Sequence, residues 1–148
     1  LQQVPLGPDQ ALTITGPSPA LAALAVTCHA AVSAAGTSVW ELLCLGVPAG
    51  LVCVVDNQEL GYQATAEAGV ALPVGRLWEL TAAGSVGRAG HTGQPHRDAI
   101  ATLTTLLTDP VARTLLRTQG MTLVDGKGRA RVVDAIERVA ASASGAAD

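Results

Sequence analysis

Phenylalanine is missing altogether from this 148-residue chain, and aromatic residues make up only 2% of it, although hydrophobic residues reach 49%. Large rings therefore cannot fill a core. Ala, Val and Leu must do so at close range, which brings helices and sheet near one another. Lys and Arg are few and unclustered, and the formal net charge is -3. That removes the electrostatic basis for gripping a polyphosphate backbone, so nucleic acid is not an expected partner. No apolar run reaches the roughly 20 residues that span a bilayer, because Gly46, Pro48, Asp56 and Asn57 interrupt the richest region. Cys28, Cys44 and Cys53 are odd in number and lie in apolar runs, which suits buried free thiols in a reducing compartment and points to the cytoplasm. His29, His91 and His96 show no ligand spacing with Cys28 or with any carboxylate, so no metal site is expected. Gly126-Lys127-Gly128 is a turn rather than a phosphate loop, and no cofactor is expected either.

The length fits one domain spanning the whole chain. It opens on Leu1 without a basic-then-apolar signal pattern and reads as a fragment or a processed end. After a polar lead over residues 1–10, alternation over 11–15 predicts a short strand stopped by Gly16-Pro17. A helix is expected from Pro19 to about Thr27, and a strand buried on both faces over 29–34. The spacing then predicts a helix over 37–45 ended by Gly46 and Pro48, and a strong central strand over 49–55. A helix over 57–67 closed by Gly69 and a strand over 70–74 follow. Strands alternating with helices at this spacing indicate an α/β fold, a Rossmann-like parallel sheet flanked by helices. Residues 81–97 hold many glycines and read as a flexible loop. Helices over 98–107, 111–121 and 129–141 come next, with a break at Asp109-Pro110 and a tail over 142–148.

In open parallel sheets, ligands bind at the carboxyl ends of strands. Two segments fall there. In the run from Ser33 to Ser38, Ala and Gly let an anion approach the backbone while Thr37 and Ser38 add hydroxyls. Asp56-Asn57-Gln58 directly follows the central strand. Each has a plainer reading. Ser38-x-x-Glu41 fits a capping box, in which the carboxylate returns to a backbone N–H; the same carboxylate could instead hold two vicinal hydroxyls of a ligand. Asp56 and Asn57 fit a simple helix cap equally well. Trp40, soon after the cap, reads as core or lid rather than as a stacking platform.

The run SAAGTSVWELLCLGVPAGLVCVVDNQ, from Ser33 to Gln58, resembles the nucleotide-binding signature of the UDP-sugar hydrolase family of pseudaminic acid biosynthesis and its spore-coat-polysaccharide relatives. That signature has a small-residue pair, then S/T-T-x-W-E, LG-x-P and a strand ending in A-D-N-Q. Asp125-Gly126-Lys127-Gly128 with Arg131-Val132 is similar to the opening of the family's last helix. The resemblance implies the C-terminal half of a GT-B fold of the MurG glycosyltransferase type, with UDP-sugar as ligand. It places Gly36, Thr37 and Ser38 on the diphosphate, Glu41 on the ribose hydroxyls, Asp56, Asn57 and Gln58 near phosphate or sugar, and Thr15-Gly16 beside uracil. It also implies that the catalytic base belongs to a missing N-terminal domain or partner chain, so that no catalytic residue is assigned here. A second copy of the chain is a further candidate partner. Ala35, where the family often has Gly, and Val55, where Ala is common, depart from the pattern. A glycosyltransferase domain and a non-catalytic interaction domain are the competing readings.

Overall fold

The computed structural model describes residues 5–82 and 94–144. Three strands, β1 (Ala31–Ala34), β2 (Ala49–Cys53) and β3 (Leu72–Arg76), lie side by side in that order as one parallel sheet. The helices are α1 (Leu21–Ala25), α2 (Ser38–Cys44), α3 (Glu59–Glu67), α4 (Leu77–Ala82), α5 (Gln94–Thr108), α6 (Pro110–Leu123) and α7 (Gly128–Ser144), and of these α2, α3, α4 and α5 flank the sheet. The chain is thus α/β with a Rossmann-like sheet. Among the described residues no helix is long and apolar enough to cross a membrane.

Residue alternation in β2 sets the two layers. Ala49, Leu51 and Cys53 point to one face, where Val39 and Leu43 of α2 and Tyr62 of α3 pack on them. Gly50 points to the other, beneath α5. An added Cβ there would stand 3.0 Å from Val74 and 3.1 Å from Leu106, so the glycine is what lets α5 sit this close. Leu106 is 0% exposed as a result. Both sheet-side helices end as the sequence predicts, on glycines with positive φ, Gly46 at 67° and Gly69 at 66°.

The Asp109-Pro110 break is a helix start. The Asp109 carboxylate accepts from the N–H groups of Val111 (2.8 Å) and Ala112 (3.0 Å), and Pro110 occupies the first turn, where it lacks no needed donor. α6 then passes Gly46 with Arg117 and Met121, Leu43 with Gly120, and Gly69 with Gln119. Since Gly46 and Gly69 lead into β2 and β3, α6 closes the amino edge of the sheet and leaves the carboxyl edge open.

Several expectations change. Residues 11–15 form no strand, and Ile14 is 67% exposed. Alternation makes a strand only where a neighbouring edge accepts its hydrogen bonds, and this segment pairs with none. β1 is consequently an edge strand, half-buried and exposed by turns, rather than one buried on both faces, and Val32 is 56% exposed on the face that α5 leaves uncovered. The third strand is displaced towards Arg76, with Pro73 and a bulge that an edge strand tolerates. Of the residues 81–97 expected as a loop, 81–82 belong to α4 and 94–97 to α5, and residues 83–93, with His91, lie outside the described residues. So do residues 1–4 of the lead and 145–148 of the tail, while 142–144 belong to α7.

Replacing Leu106 with Ala should lower unfolding stability by about 2–5 kcal/mol in denaturant titrations. Leu107→Ala, one residue on but 67% exposed, should stay within about 0.5 kcal/mol of the parent.

Candidate functional site

Pairing of β1 with β2 ends where the Ala35 N–H donates to the Val52 carbonyl at 2.9 Å. The chain then turns at Gly36, and Thr37 already has helical angles (φ -62°, ψ -27°). Helix bonding begins with the N–H groups of Val39 and Trp40, which leaves those of Gly36, Thr37 and Ser38 outside the backbone hydrogen-bond network. No side chain caps α2. The capping-box reading of Ser38 and Glu41 is therefore not what forms: Ser38 sits inside the first turn rather than before it.

Two hollows flank this turn. One, of about 360 Å³, is lined by Gly36, Thr37 and Trp40 from the α2 side and by Asn57, Gln58 and Gly61 from the α3 side. Gln58 is held in place by its own amide, whose Oε1 accepts from the Val54 N–H at 3.0 Å. Its Nε2 is consequently turned to the Gly36 turn, 3.6 Å from where a Cβ on Gly36 would stand. Trp40 is 45% exposed, a wall of the cleft rather than part of the core. Thr65 closes the back of the cleft and spends its hydroxyl inside α3, on the carbonyls of Gly61 (2.8 Å) and Tyr62 (3.0 Å).

The other hollow, of about 300 Å³, lies between α1, β1 and α2. It is mostly apolar, with Leu21, Leu24 and Leu42 in its walls, and it carries Ser33, Ser38 and Glu41 as polar groups. Of the residues singled out by sequence, Gly36, Thr37, Asn57 and Gln58 thus share one hollow, and Ser38 and Glu41 share the next. Asp56 is exposed in a single 3-10 turn (Asp56–Gln58), caps nothing with its side chain and lines neither hollow. Neither Asp56 nor Asn57 caps α3, which has no side-chain cap. Thr15 and Gly16 are exposed in a segment without regular structure, apart from both hollows.

Sequence reasoning missed the charged clamp beside the cleft. At the end of β3, the Arg76 guanidinium grips both carboxylate oxygens of Glu59, through Nε at 2.9 Å and through the terminal nitrogen, and reaches Glu79 at 3.6 Å. The ring of Tyr62 lies under it, 5.6 Å from centroid to Cζ. Gln63 adds a 2.6 Å bond to Glu59. The Arg76 hydrogen bonds hold the Glu59 carboxyl down at about 2, with Gln63 and Cys53 assisting and partial burial opposing. Burial, reinforced by Glu59, pushes the Cys53 thiol up, so it stays a protonated, buried group rather than a nucleophile. Glu59 and Arg76 are far apart in sequence, and local spacing offered only the i,i+4 pair Glu59 and Gln63 and the i,i+3 pair Arg76 and Glu79.

Among the described residues no group of His, Cys, Asp and Glu is placed to hold a metal ion. Comparison with known proteins finds no family model, no curated protein and no solved structure that matches the chain.

The clamp makes stability pH-dependent with a defined sign. Glu59 is depressed from an ordinary value of 4.5, so its contribution is full above that pH and is lost as pH falls towards about 2. Denaturation midpoints measured across this window should fall less steeply for Glu59→Gln than for the parent; parallel curves would show that the clamp carries no linkage.

Proposed function

We propose that this chain binds the diphosphate of a nucleotide-sugar, a UDP-sugar, across the Gly36-Thr37-Ser38 turn, as the nucleotide-holding part of a bacterial hydrolase of surface polysaccharide biosynthesis that works in the cytoplasm. The observation that carries the reading is that the turn separates two hollows of different chemistry. The apolar one, with the Glu41 carboxylate and two serine hydroxyls, suits a nucleoside: a flat base against Leu side chains and ribose hydroxyls donating to Glu41. The polar one, with the Asn57 and Gln58 amides, the Thr37 hydroxyl and the Trp40 ring, suits phosphate oxygens and a sugar. A ligand crossing the turn between them meets N–H groups that no other described backbone group uses. The position at the carboxyl edge of a parallel sheet, and the resemblance of residues 33–58, support the same reading.

The chain's part in such a reaction is to hold and orient. Among the described residues no titratable side chain lines the polar hollow, so a base for the attacking water would come from a partner domain facing it. A transferase would use the same geometry with a sugar hydroxyl in place of water. A second reading, an interaction domain that docks another chain, is favoured by α7, where Val132, Ile136 and Val139 form an exposed apolar stripe.

Titration calorimetry with UDP-N-acetylglucosamine tests the first reading. Saturable binding is expected, weakened about 10-fold or more by Glu41→Ala, which removes a charged acceptor, and about 5-fold by Gln58→Ala, which removes a neutral donor. Absence of heat with the parent chain would sink the proposal, and a monomer in light scattering that binds the ligand would count against the docking reading.

A further inference from the structure

We infer that the polar hollow discriminates by charge: it accepts a phosphate bridged on both sides, as in a diphosphate-sugar, and disfavours the same nucleotide ending in a free terminal phosphate. This deepens the reading above and rests on it. All the described lining side chains are uncharged, and those free to donate a hydrogen bond are the Asn57 and Gln58 amides, the Thr37 hydroxyl and the Trp40 indole. The surroundings carry the wrong sign for an anion. Asp56 directly precedes Asn57 and Gln58, Glu59 and Glu79 together outnumber the guanidinium they share, and Glu41 stands on the far flank of α2. Arg76, at the end of β3, is already engaged by Glu59 and Glu79, and no described Lys or Arg lines the hollow. Neutral donors can satisfy the delocalised charges of a diester, which needs hydrogen bonds more than counter-ions. They cannot offset the further charge that a terminal phosphate gains on its second ionisation near pH 6, in a field set by nearby carboxylates. Removing the sugar creates that terminal phosphate, so the site is built to let go of the nucleotide once the sugar has left.

The comparison is between UDP-N-acetylglucosamine and UDP, titrated into the intact chain at low salt. At about pH 8 the sugar conjugate should bind roughly 10-fold more tightly, a gap that narrows at about pH 5.5, where the terminal phosphate of UDP takes up its proton, and narrows in high salt. Thr37→Lys offers a second arm. Thr37 is exposed and its side chain makes no capping hydrogen bond, so a lysine there puts a cation into the hollow in place of one hydroxyl and should tighten UDP more than the sugar conjugate. Binding of both ligands with UDP equal or tighter at about pH 8 overturns charge selection and leaves the binding site standing. Binding of neither overturns both.

Discussion

At Gly50 the central strand carries no side chain, and Val74 and Leu106 fill the space within 3.0 and 3.1 Å of where one would start. Gly120 does the same for α6, whose backbone lies against Leu43. A chain without phenylalanine has few other ways to exclude water from its interior. Its buried side chains are mostly Ala, Val and Leu, so dispersion contacts accumulate only if backbones approach closely. The layers that result are thin. β2 is buried on both faces, while β1, which α5 leaves largely uncovered, remains half open.

Close packing also decides where a ligand can go. α6 covers the amino edge by running past the two glycines that lead into β2 and β3. At the opposite edge the chain leaves the sheet through short turns, and there the polar groups collect. They divide into two sets with separate work. Glu59, Arg76, Glu79 and Tyr62 saturate one another and tie the start of α3 to the end of β3. Asn57, Thr37 and the Nε2 of Gln58 form no hydrogen bond to that clamp and face the cleft instead. The clamp thus gives the cleft a rigid wall without entering it.

What could be read from sequence was what local chemistry decides. The run from Ala49 to Cys53 declared itself as the middle strand, Gly46 and Gly69 marked the ends of α2 and α3, and Asp109-Pro110 marked the start of α6. Gly36, Thr37, Asn57 and Gln58 could be placed at one end of the sheet because they directly follow strands. Features that depend on a distant partner were not readable. The alternation over residues 11–15 looks like a strand, yet no edge pairs with it. The bond between Glu59 and Arg76 joins residues from two elements that spacing cannot relate. Glu41 and Ser38 fit a cap by pattern, but the helix starts one residue too early for that geometry.

α7 stands in a different relation to the rest. It runs from Gly128 to Ser144, its described side chains are exposed, and Asp125 holds Arg131 at its first turns. A helix of this length, alone in water, is marginal because packing rather than propensity supplies most helical stability. Its amide protons should therefore exchange on the timescale of local fraying, decoupled from the slow exchange of β2. The C-terminal helix is in this sense a conditional element, folded as far as the surface it meets allows.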